Sequence, residues 1–338
     1  MINEAISQLI NNENLSVSCA KECFDEIFSG LATPVQASSF LTALESKGIV
    51  QDEQLAGILS SRESVKKISF PIQNISLIEN IILDETFEYL DFALLNDLIC
   101  ATCNLNSMRY SFESHIFNSR SFNLLSKLGL RFNHIDSDFI DTFEQINFGY
   151  FYLSTNEPYY KYVYELKKSL KFSNSLNLFD KLLNPYCAQN LFLGIKDANL
   201  VEDYAKLALN LNNQNTLVVS GYDKTPFISI ENESFVAEAW KNKIFAYKIS
   251  PELLDIKKAS LDYVKVQNED ECANLILEII ENKAREEVIQ AIILNAGFAL
   301  YISKICASVM DGLALASKVI NDGKLKEKFE QIKKHYEV

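Results

Sequence analysis

The sequence predicts an α/β protein with a small N-terminal helical domain and a larger α/β domain whose sheet is at least partly parallel. Three observations predict this fold class. The first stretch, up to about residue 60, has apolar residues at helical spacing. Beyond about residue 66, short β-branched runs alternate with helical patterns, an order typical of parallel sheets. Finally, 48% of the 338 residues are hydrophobic, which is enough for a large buried core.

Four helices are predicted in the N-terminal domain, residues 1–66. The first is "INEAISQLINNE", with its apolar residues on one face. Ser16 precedes the second helix as its N-cap, and Gly30 follows it as a stop signal. Thr33 and Pro34 give the third helix an N-cap and a first-turn proline, and Gly48 ends it. "QDEQLAGILSSRES" makes the fourth helix.

The α/β domain, residues 67–338, is predicted from runs rich in β-branched residues. The predicted strands are "KKISF" (66–70), "NISLIENIIL" (74–83), "NLFLGI" (190–195), "NTLVVSG" (215–221), "FISI" (227–230), "FVAEAW" (235–240) and "IFAYKI" (244–249). "YYKYVYELKKSLKFSNSLNLFDKLLNP" interrupts these strands with a helical pattern. The segment from Glu269 onward is predicted to be helical throughout.

Charge and hydropathy exclude several protein classes. The net charge of −13 opposes general attraction to nucleic acid or anionic lipid. The N-terminal residues include Glu4 and Glu13 and lack a basic start, unlike a signal peptide. "VIQAIILNAGFALYISKICASVM" contains Gln290, Asn295 and Lys304, so it predicts a buried helix and not a membrane span. We therefore expect a cytoplasmic protein without membrane contact.

The cysteines and histidines do not form a metal-binding or redox pattern. Seven cysteines without regular spacing fit a reducing compartment. Cys100 and Cys103 form a CxxC inside an apolar stretch, with no second CxxC, which predicts core packing instead of redox chemistry. The three histidines are scattered along the chain, so a histidine-based metal centre is not expected.

Two stretches resemble the anthranilate phosphoribosyltransferase family. In "FDEIFSGLATPVQASSFLTALESKG" the matching residues are Ile27, Gly30, Ala32, Thr33, Pro34, Gln36, Phe40, Leu41, Ala43, Leu44, Lys47 and Gly48. In "SLNLFDKLLNPYCAQNLFLGI" the residues that match the family segment "FNxLGPLxNP…GV" are Asn177, Leu178, Leu183, Asn184, Pro185, Gln189 and Gly194. "DANLVEDYAKLALNLNNQNTLVVSG" and "ILNAGFALYI" extend the resemblance to nearly the whole chain.

This resemblance implies a fold shared with the pyrimidine nucleoside phosphorylases. A small helical domain, in which helices from about 155–185 join the N-terminal ones, packs on a larger α/β domain with a mostly parallel sheet. The implied chemistry transfers a phosphoribosyl group from phosphoribosyl pyrophosphate, with magnesium, to anthranilate in a cleft between the domains. The resemblance also implies a homodimer formed through the helical domain.

The family's glycine-rich phosphate loop, "GTGGDG", maps to about residue 81–84 and the residues just after. Here the segment reads "NIILDETFEYLDF", and no glycine occurs between Gly57 and Gly129, so a backbone cradle for phosphate is not expected. The replacement carries four carboxylates, Asp84, Glu85, Glu88 and Asp91. They would repel a pyrophosphate unless metal ions bridged them. If this loop covers the site, Phe87 and Tyr89 are the side chains that would fill it.

Other family motifs are altered in the same region. The family's "NIST" falls at residues 91–94, which read "DFAL", and its "KHGNRSxSSxSG" maps to "RYSFESHIFNSR" from Arg109. The family's Asp-Glu magnesium pair falls at Pro226 and Phe227, with Asp223 three residues away as a weak metal candidate. The vestigial phosphate-site candidates are Arg109, Ser114, Ser119, Asp84 and Glu85.

The acceptor-site candidates follow from the same resemblance. The arginine that binds the anthranilate carboxylate in the family falls at Lys167, which cannot form the same bidentate pair. The acceptor-site candidates are Lys167, Asn177 and Pro158. A purely structural alternative stays open for the retained residues: Arg109 as a surface cation, Asn177 as a satisfied polar residue and Asn184-Pro185 as a turn.

Several functions are consistent with this pattern. We favour a non-catalytic homologue that uses the fold for binding or regulation, with no cofactor. An active phosphoribosyl or glycosyl transferase is the enzymatic alternative, and it would need magnesium. A nucleic-acid-binding homologue would use "YYKYVYELKKSLKF", whose candidate residues are Lys161, Lys167, Lys168 and Lys171. A protein partner, for instance another biosynthetic subunit, is the remaining possibility.

Overall fold

The computed structural model describes residues 1–68, 76–83, 86, 88–112, 120–130, 143–153, 158–170, 175–211 and 213–336. Contacts divide the chain into two units, Met1–Ser69 with Leu153–Cys187 and Phe70–Tyr152 with Ala188–Val338. The helices of the first, helical unit are α1 (Ile2–Ile10), α2 (Val17–Phe28), α3 (Pro34–Lys47), α4 (Gln51–Ser64), α7 (Pro158–Leu170) and α8 (Ser175–Lys181).

The helix ends of the helical unit are fixed by the residues that the sequence indicates. Ser16 Oγ accepts a hydrogen bond of 3.3 Å from the backbone N–H of Cys19 at the start of α2. Thr33 and Gln36 form a reciprocal capping box at the start of α3. Gly48 ends α3 with a φ of 89°, a conformation that favours glycine. The four predicted N-terminal helices are confirmed.

Aromatic packing joins the two chain segments of the helical unit. The Phe24 ring packs edge-on against that of Phe179, with centroids 5.2 Å apart, and Phe28 packs in the same way against Tyr159 at 4.8 Å. A β-carbon on Gly57 would lie 2.1 Å from the Phe179 ring, so α4 approaches α8 closely. The mid-chain helices therefore complete a core that the first four helices begin.

The junction after α4 corrects one strand prediction. Residues 66–68 of "KKISF" form no strand, and the rest of that segment lies outside the described residues. The N–H of Ile68 donates to Pro185 O at 2.8 Å, so this backbone is bound within the helical unit. The predicted turn at Asn184-Pro185 is confirmed, because Cys187 N donates to Asn184 O at 3.2 Å.

The second unit, the α/β unit, is built around one sheet. Its strands are β1 (Leu77–Ile82), β2 (Asn106–Phe112), β3 (Phe148–Leu153), β4 (Asn190–Gly194), β5 (Asn215–Gly221), β6 (Ser234–Trp240) and β7 (Lys243–Ile249). Its helices are α5 (Phe92–Thr102), α6 (Arg120–Lys127), α9 (Val201–Asn210), α10 (Glu269–Ile280), α11 (Glu286–Ile302), α12 (Val309–Asn321) and α13 (Lys324–Tyr336). The strand order is β3-β2-β1-β4-β5-β6-β7.

The sheet is mostly parallel, as predicted. β1 pairs in parallel with β2 and with β4, and β4 pairs in parallel with β5. β6 and β7 add an antiparallel hairpin at one side of the sheet. The fold class is therefore confirmed: a helical N-terminal domain and an α/β domain with a mostly parallel sheet.

One further strand prediction was wrong, and two strands were missed. β2 and β3 were not predicted, and "FISI" is not a strand. The backbone of "FISI" is hydrogen-bonded by side chains: Ile228 N donates to Asn295 Oδ1 at 2.9 Å, and Ser229 N donates to Ser234 Oγ at 2.8 Å. These bonds satisfy the backbone groups that a strand neighbour would otherwise take.

The long apolar stretch after residue 287 forms the buried helix that was predicted, α11. Its backbone touches α12 closely, because a β-carbon on Gly312 would lie 2.2 Å from Gly297 O. No helix within the described residues has the length and apolar character needed to cross a membrane.

Cys100 is buried in α5, and burial raises the pKa of Cys103 to about 12, which disfavours a reactive thiolate.

Candidate functional site

The candidate site lies at the carboxyl ends of β1, β4 and β5. Open α/β sheets bind ligands outside the carboxyl ends of their parallel strands. Two backbone hydrogen bonds continue past these ends: Leu83 N donates to Gly194 O at 2.8 Å, and Ile195 N donates to Val219 O at 2.9 Å. The segments that leave the three strands therefore start from one rigid edge.

The described part of the acidic segment after β1 is bound to residues 264–266. Leu90 N donates to Val264 O at 2.9 Å, and Val266 N donates to Glu88 O at 3.0 Å. Tyr89 forms an isolated antiparallel bridge with Lys265 between these two bonds. A strand-like backbone pairing thus holds this segment along the edge, where the family resemblance places a phosphate loop.

Lys196, just after β4, neutralises part of the acidic segment. Its Nζ donates to Thr86 Oγ1 at 2.8 Å and lies 3.7 Å from a carboxylate oxygen of Glu88. Both contacts are exposed to solvent, so they contribute modestly to stability. They place the charge of Lys196 on the acidic segment.

Three aromatic side chains, Tyr89, Phe92 and Phe227, pack together at this edge. The ring of Phe92 stacks on that of Phe227 with centroids 4.1 Å apart and an interplanar angle of 25°. Tyr89 packs edge-on against the same Phe227 ring at 5.2 Å. We call these three residues the aromatic cluster. Phe92 and Phe227 are buried, so the cluster forms part of the core.

The loop after β5 packs directly on the end of β4. A β-carbon added to Gly194 would lie 1.8 Å from Pro226 O, a distance that no real side chain tolerates. Only glycine permits this approach of the two backbones. The contact holds Pro226 and its neighbour Phe227 against the sheet, and thereby fixes the position of the aromatic cluster.

The Asp223 carboxylate is hydrogen-bonded within its own loop. Its Oδ1 accepts a hydrogen bond from Thr225 Oγ1 at 2.7 Å. Its Oδ2 accepts bonds from Ser229 Oγ at 2.6 Å and from Asn232 Nδ2 at 3.3 Å. The carboxylate therefore orders the loop between β5 and β6, and its assignment as a weak metal candidate stays a prediction.

The described residues do not fit a magnesium ion at this edge. Magnesium requires oxygen ligands in near-octahedral geometry, usually from carboxylates. The positions that resemble the family's magnesium pair hold Pro226 and the buried ring of Phe227, which supply no side-chain oxygen. Across the described ranges, no group of three or more His, Cys, Asp or Glu side chains is arranged to hold a metal ion.

Arg109, in β2, is held inside a polar network that the sequence did not predict. Its Nε lies 2.9 Å from Asp97 Oδ2, and its Nη2 lies 3.4 Å from Asp91 Oδ1. The Asp97 side chain is fully buried, and that of Arg109 is 14% exposed. The alternative interpretation of Arg109 as a surface cation is therefore wrong, because its charge is neutralised by two carboxylates inside the unit.

Asp97 is the centre of this network. Its Oδ1 accepts hydrogen bonds from Ser107 Oγ at 2.5 Å and from Asn80 Nδ2 at 2.7 Å. Burial raises the pKa of Asp97 to about 7, against the opposing effects of Arg109 and the two hydrogen bonds. Burial alone would lower the pKa of Arg109, but the charges of Asp91 and Asp97 outweigh it and raise that pKa above its ordinary value.

Asp91 links the network to the start of α5. Its Oδ1 accepts the backbone N–H of Leu94 at 2.9 Å and so caps the helix. The sequence contained one usable signal for this arrangement. Asp97 lies within the mostly apolar "FALLNDLICAT", and a charged residue there needs a buried partner.

The acceptor-site candidates lie in the helical unit, where Lys167 is engaged in an ion pair. Lys167 Nζ forms a salt bridge of 2.5 Å with Asp180, whose other oxygen accepts the Tyr159 hydroxyl at 2.7 Å. Asn177 is half-buried on α8, and Pro158 begins α7. The acceptor-site assignment of Lys167, Asn177 and Pro158 stays a prediction.

The lysine patch predicted for nucleic acid is only partly exposed. Lys161 and Lys168 are exposed and lie over the rings of Tyr162 and Tyr164, at 5.5 and 5.9 Å from the ring centroids. Tyr159 and Tyr160 are buried and cannot stack on bases. Together with the salt bridge of Lys167, this burial removes much of the expected binding surface.

Several predicted residues lie outside the described part of the chain: Asp84, Glu85, Phe87, Ser114, Ser119 and Lys171.

Comparisons with known proteins agree with this architecture. Residues 92–326 match the glycosyl transferase family a/b domain, and residues 3–64 match the helical bundle domain of that family. An anthranilate phosphoribosyltransferase from Acetivibrio thermocellus is 28% identical over 331 residues, which cover 98% of this chain and 95% of the relative. One from Vesicomyosocius okutanii is 26% identical over 332 residues, covering 97% of each chain.

Solved structures show the same fold. Anthranilate phosphoribosyltransferase from Thermus thermophilus superposes with a TM-score of 0.83 at 24% identity and covers 99% of both chains. The Saccharomyces cerevisiae enzyme, in complex with PRPP and Mg, superposes with a TM-score of 0.82 at 16% identity. That match covers 99% of this chain and 97% of the yeast chain.

Proposed function

Since this chain belongs to the glycosyl transferase family and is anthranilate phosphoribosyltransferase-like, we propose that it has lost phosphoribosyl transfer and serves as a non-catalytic binding or regulatory homologue. The observation that carries this proposal is the aromatic cluster. Phe227 lies where the family resemblance places a magnesium ligand, and it stacks on Phe92, which falls at the isoleucine of the family's "NIST". The hydroxyl-bearing positions of that motif, where the family contacts phosphate, hold Ala93 and Leu94. A buried apolar contact cannot neutralise a pyrophosphate.

The polar network around Arg109 supports the proposal. An arginine that is already paired with Asp91 and Asp97 has little free charge for an incoming phosphate. Breaking those pairs would leave two buried carboxylates uncompensated, which typically costs about 3–5 kcal/mol. Loss of preorganised donors costs about 100- to 1000-fold in rate for each donor. Three features would each lower the rate of phosphoribosyl transfer: the missing glycine loop, the missing magnesium pair and the neutralised arginine.

The proposal also covers the cofactor requirement and the oligomeric state. We expect no cofactor, because magnesium has no described ligand set at this edge. We propose a homodimer formed through the helical unit and a location in the cytoplasm. Sedimentation equilibrium of the full chain tests the dimer. A protein that stays monomeric at about 100 μM, roughly 100 times a micromolar dimer dissociation constant, would contradict the proposed dimer.

Calorimetric titration tests the loss of transfer. The full chain is titrated with phosphoribosyl pyrophosphate and magnesium, then with anthranilate, and transfer is assayed in the same buffer. We expect no heat and no product, with the Thermus thermophilus relative as the positive control. Binding at about micromolar dissociation constants, or turnover within tenfold of the roughly 1–1000 per second of ordinary enzymes, contradicts the proposal.

A further inference from the structure

The strand β7 ends the sheet and leaves one edge open. It pairs with β6 from Lys243 to Ile249, and in the described part of the chain no strand pairs with its other side. An open edge presents backbone N–H and C=O groups that can pair with another extended segment. This strand is seven residues long, which is sufficient for such pairing.

Apolar side chains are exposed beside this edge. Phe245 on β7 is 53% exposed, and Trp240 at the end of β6 is 40% exposed. Lys304 Nζ lies 5.0 Å from the Trp240 ring centroid, and Lys241 Nζ lies 4.3 Å from it. The β6–β7 hairpin and the residues just after α11 therefore form one continuous surface.

The same surface is basic although the chain is acidic. The hairpin, residues 234–249, contains Lys241, Lys243 and Lys248 against a single carboxylate, Glu238, and Lys304 adds a further positive charge. Among the described residues none of these four lysines forms an ion pair. Both oxygens of Glu238 accept tyrosine hydroxyls, from Tyr247 at 2.6 Å and from Tyr301 at 3.0 Å. In the β6–β7 register Lys248 pairs with Phe235, on the face of the hairpin opposite to Phe245 and Trp240. We call Trp240, Lys241, Lys243, Phe245 and Lys304 the hairpin surface.

We infer that the hairpin surface docks an extended acidic peptide segment of a partner protein, which adds to the sheet as a strand beside β7. The edge supplies backbone pairing, Phe245 and Trp240 supply apolar contact, and the lysines supply charge complementarity. This docking does not depend on the loss of phosphoribosyl transfer. The hairpin surface contains none of the residues of the candidate site at the carboxyl ends of β1, β4 and β5.

Charge and geometry favour a peptide over the other occupants. Two ammonium groups already lie over the Trp240 ring, where a nucleic-acid base would have to stack. The open edge also matches a peptide backbone and not a phosphodiester. A second copy would bring the same lysines to face these lysines, which is unfavourable. An acidic segment meets neither obstacle.

Trp240 is the single tryptophan of the chain, so its fluorescence reports on this surface alone. The probe is a synthetic peptide in which Glu and Val alternate. It has about eight residues, a length within the usual range of strands. Two control peptides carry Lys in place of Glu, or N-methyl groups on alternate backbone nitrogens. With the full-length protein, the acidic peptide should shift the Trp240 emission with a dissociation constant of about 10–100 μM. The control peptides should not shift it.

Charge-reversed variants locate the binding. Lys241→Glu combined with Lys304→Glu should weaken acidic peptide binding at least tenfold. The matched control combines Lys318→Glu with Lys334→Glu, two exposed lysines outside the hairpin surface, and should leave binding unchanged. Binding is followed for these variants by the labelled acidic peptide's fluorescence anisotropy, which does not depend on the tryptophan environment.

Five results would overturn the inference. The first is no emission change up to about 1 mM acidic peptide, the weak limit of a specific interaction. The second is equal loss of binding in both double variants, and the third is undiminished binding of the N-methylated peptide. The fourth is a dimer that Phe245→Glu dissociates, which would assign the surface to a second copy. Tighter binding of single-stranded DNA than of the acidic peptide would assign it to nucleic acid and also contradict the inference.

Discussion

Asn295 and Asn96 are both buried amides of the α/β unit, and they differ in their partners. Asn295 accepts the N–H of Ile228 at 2.9 Å and donates to its carbonyl at 3.0 Å. Neither amide atom of Asn96 has a hydrogen-bond partner within the described structure. One asparagine therefore holds a loop in place, whereas the other carries an uncompensated cost of burial.

Replacing each asparagine by the similarly sized leucine separates these two roles. Asn295→Leu should lower the free energy of unfolding by about 2–4 kcal/mol, because two backbone groups of Ile228 lose their partners in the core. Asn96→Leu is the matched control and should change it by less than about 1 kcal/mol, or raise it. Urea unfolding of the two variants and the parent measures both effects. Equal destabilisation by the two substitutions would contradict this interpretation.

Asp97 makes the stability depend on pH. Its pKa is about 7 in the folded protein and 3.8 ordinarily, so the folded state holds the proton more tightly than the unfolded state. The corresponding stability is complete below about pH 4 and is lost as the pH rises through about 7, with an upper limit of about 4 kcal/mol. Asp97→Asn should flatten this part of the profile. Urea unfolding between about pH 4 and 8 tests it, and parallel profiles for variant and parent would refute it.

At the scale of single elements, the loop after β5 depends on the aromatic cluster. Phe227→Ala removes a buried ring that touches Phe92 and Tyr89, and should destabilise the protein by about 3–5 kcal/mol. Phe245→Ala, at an exposed position, is the control and should cost less than about 1 kcal/mol. Thermal and urea unfolding measure both. If the two variants unfold alike, the cluster is not part of the core.

The limits of sequence-based prediction also appear at the scale of elements. The N-terminal helices were predictable because Ser16, Thr33 and Gly48 act locally at their ends. β2 was missed because Ser107 and Arg109 interrupt its apolar pattern, and both contact Asp97, a partner that only the folded chain brings near. β3, "FGYFYL", is a short aromatic run that periodicity alone cannot assign.

The sequence predicts which family residues the candidate site lacks. It does not predict the side-chain contacts that replace them. The absence of glycine after β1 and the replacement of the magnesium pair by Pro226 and Phe227 are visible in the sequence. The stacking of Phe227 on Phe92 joins residues far apart in the chain. The pairing of Arg109 with Asp97 likewise forms only in the folded chain. No local pattern could therefore indicate that the Arg109 charge is neutralised inside the unit.

At the scale of the whole molecule, the helical unit is assembled from two separate chain segments. Residues 1–69 expressed alone should not fold cooperatively, because Phe24 and Phe28 would lose their contacts with Phe179 and Tyr159. Adding residues 153–187 through a short flexible linker should restore a cooperative thermal transition. Circular dichroism of the two fragments tests this. A sharp transition for residues 1–69 alone would show that the second segment is dispensable.

The same discontinuity sets an order of events during translation. The first four helices leave the ribosome well before α8 supplies Phe179, and β1 is synthesised long before β4, its neighbour in the sheet. Neither core is therefore complete until residues 175–194 have emerged. Because domains usually fold in the order of their synthesis, a nascent chain of this protein keeps its apolar helix faces uncovered for an unusually long interval. Chaperone contact with the nascent chain is the expected consequence.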